Sequence, residues 1–534
     1  MKRDYKKLQN GSDIRGIALE GIAGEVPNLG AEEAERLSAA FLLWLSEKTG
    51  KKPGELKVAV GRDPRISGEM LLEAVIRGLA RHGATVIPCG LASTPAMFMS
   101  TVFPEFACHG AIMITASHLP FNRNGFKYFH RGGGLDKNDI GKIIAWAEGE
   151  AFLAALGDPV AEQDWKRSEQ GLMGVYSRFL RDKIKAGVNS CLDYEKPLKG
   201  LKIVVDAGNG GGGFYAKQVL APLGADISAS QFLEPDGTFP NHAPNPEDKA
   251  AMAAISQQVL ETQSDLGLIF DTDVDRSSAV DHQGREISRN GIVAMAAALV
   301  AETYPGTTVV TDSITSDQLT VFLEQELGLK HKRFKRGYKN VINEAVRLNE
   351  EGIDSQLAIE TSGHAALKEN HFLDDGAYLA TKIVIKAAQL AAEGKTLDSL
   401  INRLEEPVEA IEIRLPITCE DFGPYGDRIL QELRQWSSMS DCAQRKADGE
   451  IEAVEEGSCV LCHCGMSLVE PNYEGVRINF NQSHGDGWCL LRKSLHDPIM
   501  PLNIESNQPG GCKQIAEKLR PFLAAYEQLD ISKL

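Results

Sequence analysis

Short, largely apolar runs that stop abruptly at chemically loaded turns set the plan of this chain. Ala111-Ile112-Met113-Ile114 stops at Thr115-Ala116-Ser117-His118. Leu266-Gly267-Leu268-Ile269-Phe270 stops at Asp271-Thr272-Asp273-Val274-Asp275-Arg276, and Gln356-Leu357-Ala358-Ile359 stops at Glu360-Thr361-Ser362-Gly363-His364. Such runs read as buried strands. Helix-like stretches lie between them, as in the segment from Glu69 to His82 that closes at Gly83. Strands alternating with helices predict α/β layers, which bind ligands outside the carboxyl ends of their strands.

At 534 residues the chain is too long for one core. The alternation restarts at Leu201–Asp206, which leads into the glycine-rich turn Ala207-Gly208-Asn209-Gly210-Gly211-Gly212-Gly213. It restarts again near Gly291, where Thr308-Val309-Val310-Thr311 precedes Asp312-Ser313. From about Val408 the pattern changes to alternating strands, Ala410–Leu415 and Gly475–Phe480, followed by a helix from Gly511 to Tyr526. The expected fold class is α/β: three related mixed α/β domains, residues 1–165, 166–290 and 291–407, plus a C-terminal α+β domain, 408–534, with an antiparallel sheet.

Lys and Arg number 57 against 74 Asp and Glu, a net charge of −17. That balance repels phosphodiester backbones and argues against nucleic acid as a partner. The first sixteen residues are basic but have no apolar core, so no secretory signal is expected there. The longest apolar stretch, Ile292–Ala301, is too short to span a membrane. Ten cysteines in this length are no disulfide framework, and a reducing cytoplasm is the simplest setting. Cys459, Cys462, His463 and Cys464 lack a clear second ligand pair, so they read as buried cysteines and a turn rather than zinc ligands. Ser437–Gly457 reads as an exposed insertion.

Asp271, Asp273 and Asp275 place three carboxylates within five residues, and alternate residues of a strand share a face. They repel one another unless a cation sits between them, and oxygen-only ligation suits Mg²⁺. A solvated acidic turn is the other reading. Asp271-Thr272-Asp273-Val274 also fits the nucleophile loop of haloacid-dehalogenase-type phosphatases, with Asp271 phosphorylated and Asp273 the acid. That loop normally opens its fold, and it leaves Asp275 and Arg276 unexplained. Ser117 can be a solvated turn residue or a covalent group carrier. Glu360, Ser362 and His364 suit sugar hydroxyls and a phosphate, or Thr361 or Ser362 caps a helix. The run Gly487–Leu491 ends in Arg492-Lys493-Ser494-Leu495-His496, either a phosphate cradle or an exposed basic turn. Lys335-Arg336-Gly337-Tyr338-Lys339 is a further basic loop, Ser12-Asp13-Ile14-Arg15-Gly16 puts an arginine near the start, and Glu234–Pro240 reads only as loop.

In this order the elements resemble the α-D-phosphohexomutase family, in its phosphoglucomutase/phosphomannomutase branch. Ser12–Gly16 is similar to its N-terminal arginine motif, Thr115–Pro120 to its phosphoserine loop, and Asn124–Lys127 to the segment bearing a lysine near the reacting hydroxyl. Asp236–Pro246 matches a family loop, Asp271–Arg276 its metal loop, Glu360–His364 its sugar loop, and Arg492–Pro498 its phosphate loop. The resemblance implies four domains around a central cleft and interconversion of hexose 1-phosphate and hexose 6-phosphate, with glucose or mannose as the sugar. It implies a phosphoserine at Ser117, Mg²⁺ on Ser117, Asp271, Asp273 and Asp275, and a hexose 1,6-bisphosphate as activator and intermediate. His118, Lys127 and Arg15 would serve the chemistry, and Arg276 the phosphoryl group. Lys335, Glu360, Ser362, His364, Arg492, Lys493, Ser494 and His496 would hold the hexose phosphate. Leu119 stands where the family usually has Asn, and Leu495-His496-Asp497 departs from the usual phosphate loop. The alternatives are a phosphoglucosamine mutase, a sugar phosphatase, and a non-catalytic sugar-phosphate-binding protein. The retained Ser117 and three aspartates count against the last.

Overall fold

The apolar run before Ser117 is a fully buried strand at the centre of an eight-stranded mixed sheet. The strands of that sheet which position the site are β1 (Asp13–Ile17), β2 (Lys57–Arg62), β3 (Thr85–Leu91), β4 (Gly110–Ile114) and β5 (Arg123–His130). They lie in the order β1-β5-β4-β2-β3, with β4 parallel to β2 and antiparallel to β5. Helices α1 (Ala31–Thr49) and α2 (Gly68–Ala80) pack on it, and Leu37, Phe41, Leu71, Val75 and Leu79 share one core with Val58, Val60 and Ile112. Gly78 sits inside α2 because a Cβ there would lie 2.3 Å from Glu35 O of α1. A glycine that weakens a helix by itself thus lets two helices close on each other. A short helix, α3 (Thr94–Met99), is capped by Ser93 Oγ.

The structure is a computed structural model that describes residues 4–168, 170–438, 465–494 and 497–534. The chain divides into two compact units, Met1–Val309 with Ala345–Asn402, and Val310–Glu344 with Arg403–Leu534. Among the described residues no helix is long and apolar enough to cross a membrane. The Cys459–Cys464 cluster and residues 439–457 of the expected insertion lie outside the described residues.

The first unit continues with a smaller sheet in which β6 (Ile203–Asp206) runs parallel to β7 (Leu266–Phe270), and β7 antiparallel to β8 (Ser277–Asp281). Its helix α4 (Lys249–Thr262) starts where Asp248 Oδ1 accepts the N–H groups of Ala250 and Ala251. The apolar stretch near Gly291 is the buried helix α5 (Asn290–Ala301). After it come the antiparallel strands β9 (Ser355–Ile359), β10 (Ala365–Leu367) and β11 (Leu373–Asp374), then helix α6 (Gly376–Ala392). Glu360–His364 therefore joins two strands of a hairpin and caps no helix.

The second unit carries the expected antiparallel sheet. Its strands are β12 (Glu409–Pro416), β13 (Met466–Leu468), β14 (Val476–Phe480), β15 (Gly487–Leu491) and β16 (Ile499–Ser506), in the order β12-β16-β15-β14-β13. Ile429 and Leu433 of α7 (Phe422–Ser437) and Ile515 and Leu519 of α8 (Gly511–Leu523) cover Ile478, Cys489, Leu502 and Ile504. Buried Arg477 of β14 lies over the Trp488 ring, 3.6 Å from its centroid. It donates to Ser313 O (3.0 Å) and Asp317 Oδ1 (2.9 Å), so residues 313–317 fold with this sheet.

Candidate active site

Thr115 shapes the loop after β4. Its Oγ1 donates to Asp63 Oδ2 at the end of β2 (2.7 Å) and accepts the Ser117 N–H (2.9 Å). Ser117 then adopts φ +50°, a conformation that few residues other than glycine take. Its Oγ lies 3.1 Å from Asp271 Oδ2, 3.1 Å from Arg276 Nη2 and 3.2 Å from His118 Nδ1. Arg15, on β1, donates to Thr115 O and to Asp13 Oδ2 (2.8 Å), which ties it to the base of the same loop.

The three aspartates converge, with carboxylate oxygens within 4.8 Å of one another. They do so through a turn and not by alternation along a strand: residues 271–275 reverse the chain between β7 and β8, and Val274 takes φ +67°. A β-branched side chain is strained there. The glycine-rich turn after β6 supports this reversal. Gly211 donates its N–H to Thr272 O (2.8 Å), and a Cβ on Gly210 would come within 2.9 Å of Thr272 Cα.

All three carboxylates are buried. Asp273 Oδ2 accepts from Thr94 Oγ1 and from Lys127 Nζ (3.1 Å), and Lys127 Nζ also donates to Asp275 Oδ2. Asp273 Oδ1 and Asp275 Oδ1 are buried with no hydrogen-bond partner. Such oxygens are costly unless something cationic meets them, and an all-oxygen set fits a hard divalent ion. A second cluster of potential ligands, Asp275, His364 and Asp374, adjoins the first.

Charge is unevenly held across this cluster. Burial, then repulsion by Asp275 and Asp273, keeps the Asp271 carboxyl well above its ordinary range. Burial would also raise Asp275, but Lys127, His364 and Arg276 outweigh it and hold Asp275 low. Loss of hydration around the His118 ring nitrogens, reinforced by Arg276, pushes that imidazole down to about 2 although the residue's outer edge faces solvent. A neutral ring with Nδ1 facing the Arg276 guanidinium accepts from it. Burial would lower His364 too, yet Asp374 (2.6 Å) and Asp275 (3.9 Å) raise it to about 9.

The Glu360–His364 turn is pressed against the start of β8. Gly363 has φ +92°, and a Cβ there would lie 2.5 Å from Ser277 O. Glu360 N–H donates to His364 O (2.9 Å), and the Ser362 Oγ is buried without a partner. At the start of α6, Gly376 permits a similar approach, since its Cβ would lie 2.5 Å from Arg276 C. Ser117, Lys127, the aspartates, Arg276 and the Glu360–His364 turn therefore belong to one unit of the structure.

The other basic residues belong to the second unit. Arg492 follows β15, and its Nε is buried without a hydrogen-bond partner. Burial and the nearby Arg336 charge lower its pKa. Arg336 donates its N–H to Glu474 Oε2 (3.1 Å), and Lys335 beside it is exposed. Lys493 is directed elsewhere, donating to Asp427 Oδ1 (2.6 Å) and Gly423 O (3.2 Å) on α7. Ser494 Oγ accepts the Asp497 N–H (3.2 Å). His496 lies outside the described residues.

Asp63, Arg65, Thr94 and Asp374 were not singled out by the sequence. Asp63 and Arg65 follow the end of β2, and the parallel pairing of Arg62 with Ile114 brings them beside Ser117.

Models of the phosphoglucomutase/phosphomannomutase α/β/α domains I, II and III match residues 6–153, 180–284 and 288–408. A phosphomannomutase/phosphoglucomutase of Pseudomonas putida is 28% identical over 521 residues, covering 97% of this chain and 96% of its own. A phosphoglucosamine mutase of Corynebacterium jeikeium is 29% identical, covering 97% and 99%. A crystal structure of a phosphoglucomutase/phosphomannomutase family protein from Burkholderia thailandensis superposes with a TM-score of 0.72 at 24% identity, covering 97% of both chains. With three domain models matched in order over well over half its length, this chain belongs to the phosphoglucomutase/phosphomannomutase family.

Proposed function

We propose that this hexose-phosphate mutase carries a phosphoryl group on Ser117 and exchanges it with a hexose phosphate through a hexose 1,6-bisphosphate. The observation that supports this most is the setting of Ser117 Oγ, within 3.1 Å of both Asp271 Oδ2 and Arg276 Nη2. A hydrolytic serine needs a base to take its proton, and the His118 nitrogen beside it, 3.2 Å from Ser117 Oγ, is already engaged as an acceptor for the Arg276 guanidinium.

In the first transfer the bond from phosphorus to Ser117 Oγ breaks, and a bond from phosphorus to the free sugar hydroxyl forms. Lys127, the buried amine beside the aspartates, is the proposed acid and base: with a cation in place of its ammonium as the partner of Asp273 and Asp275, its neutral form would accept the hydroxyl proton and return it when the second transfer regenerates the phosphoserine. Mg²⁺ held by Asp271, Asp273, Asp275 and the Ser117 oxygen would offset the charge of the transferring group. Arg276 holds phosphoryl oxygens, neutral His118 keeps its guanidinium aimed at Ser117, and Arg15 fixes the loop through Thr115 O. Glu360 and Ser362 hold sugar hydroxyls, with protonated His364 beside them. Arg492, Ser494 and Lys335 bind the distal phosphate, and Lys493 braces that loop against α7.

Glucose and mannose phosphates are the proposed substrates, in line with the names of the Pseudomonas putida relative and of a 26% identical phosphoglucomutase of Neisseria meningitidis. The Corynebacterium jeikeium relative favours glucosamine phosphate as a second reading. Rates with glucose 1-phosphate, mannose 1-phosphate and glucosamine 1-phosphate, with Mg²⁺ and a trace of the bisphosphate, separate the two. Conversion of glucosamine 1-phosphate alone would overturn the first.

A further inference from the structure

Arg65 is buried, and no part of the proposed reaction uses it. A guanidinium has five N–H donors in a rigid planar fork. Here each has an acceptor. Nε donates to Asp63 Oδ2 (3.2 Å), Nη1 to Pro120 O (2.7 Å) and Arg123 O (3.1 Å), and Nη2 to Ser117 O and Leu119 O (2.6 Å). Four of the five acceptors are main-chain carbonyls, three in the loop that carries Ser117 and one on Arg123, where that loop enters β5. The loop is wrapped around the cation.

The support extends to a segment whose sequence reads only as loop. The Phe239 ring lies on the guanidinium, 5.3 Å from Arg65 Cζ to its centroid. Phe239 itself takes φ +49°, and Gly237 sits so close to the Arg65 turn that a Cβ would lie 2.4 Å from Pro64 O. Asp236 Oδ1 fixes this turn by accepting from Thr238 N (2.9 Å) and Oγ1 (2.7 Å). Asp63, which faces Arg65 Nε, also accepts from Thr115 Oγ1, the hydroxyl that receives the Ser117 N–H. Ser117 is thus gripped at its carbonyl by Arg65 and at its amide through Thr115 and Asp63.

We infer that Arg65 is a positioning residue for phosphoryl transfer: it fixes the left-handed backbone of Ser117 and so aims Oγ at Asp271 and Arg276, with Phe239 covering the guanidinium. The inference rests on Ser117 being the phosphoryl carrier. A lysine at this place keeps the charge but offers three donors to five acceptors, and Leu in place of Phe239 keeps bulk but removes the ring face.

The test uses the full chain as Arg65→Lys and as Phe239→Leu. It measures KM and kcat for glucose 1-phosphate, melting temperature, and phosphate on the Ser117 peptide after incubation with glucose 1,6-bisphosphate. Misplacement of a reacting atom by about 1 Å costs on the order of 100-fold. Arg65→Lys should therefore lower kcat about 100-fold, with KM within about twofold and phosphorylation of Ser117 slowed to the same degree. Phe239→Leu should lower kcat by roughly fivefold and leave most of the protein folded. Should Arg65→Lys not fold, Phe239→Leu decides. Per folded molecule, kcat unchanged in the folded variants overturns the inference. A wild-type protein that turns over with no phosphate on Ser117 instead removes the carrier reading on which it rests.

Discussion

Arg276 bridges Ser117 and Asp271: its Nη2 donates to Ser117 Oγ at 3.1 Å, and its Nε to Asp271 Oδ2 at 3.2 Å. Burial alone would weaken this cation, but Asp271 and Asp275 hold its charge in place. A lysine ammonium carries all its donors on one atom and cannot reproduce the spacing between Nη2 and Nε. Arg276→Lys should therefore cut kcat by about 10²- to 10³-fold, the usual loss on removing one aligned donor from a charged transition state. A kcat within threefold of wild type would show that the bridge is incidental.

Ser117→Ala removes the oxygen proposed to carry the phosphoryl group and leaves the rest of the site. Turnover should fall by about 10⁴-fold or more. Calorimetric binding of glucose 1-phosphate should stay within about threefold, since the proposed sugar and distal-phosphate contacts lie on other residues. Loss of binding together with turnover would place Ser117 in recognition rather than transfer.

The unpartnered Oδ1 atoms of Asp273 and Asp275 make a thermal prediction that is independent of activity. Ions that bind only the folded protein stabilise it by about 2.7 kcal/mol at a hundredfold excess over Kd. Mg²⁺ should raise the melting temperature of chelator-treated protein, and Asp273→Asn should abolish most of that rise. An equal rise in the variant would locate the ion elsewhere.

His364 supplies a pH dependence. Burial opposes its protonation, but Asp374 and Asp275 raise its pKa from 6.5 to about 9. The stabilisation it contributes is complete below about pH 6.5 and is lost as pH rises through about 9. The melting temperature of metal-free protein should fall across that window, and fall less in Asp374→Asn. Parallel curves for the two proteins would contradict this assignment.

Two glycines give opposite outcomes on replacement by alanine. Gly363, with φ +92° and a Cβ that would lie 2.5 Å from Ser277 O, should lose about 2 kcal/mol or more and should lower kcat through the turn it shares with Glu360 and Ser362. Gly174 is helical with nothing within 4 Å of a Cβ, so Gly174→Ala should add about 0.5–1 kcal/mol. Denaturant midpoints check both.

The strands at Ala111, Leu266 and Gln356 were legible because buried strands announce themselves as apolar runs. The chemistry at their ends was legible because it is contiguous. What joins those ends was not. The aspartates were expected to meet by strand alternation, and they meet through a reversal at Val274 whose glycine-rich support lies some sixty residues earlier. Arg65 was invisible because its partners are carbonyls 52 to 58 residues away, and a carbonyl has no identity in a sequence. Arg492 and Lys493 look alike as neighbours, yet only the fold of α7 brings Asp427 to one of them.

Peptide mass mapping after incubation with glucose 1,6-bisphosphate and Mg²⁺ tests the central claim most directly. The account predicts a single phosphoryl group on the peptide containing Ser117, gained from the bisphosphate and discharged on adding glucose 1-phosphate at a rate no slower than turnover. Full turnover with Ser117 unmodified, or a phosphoryl group on Asp271 instead, would contradict it.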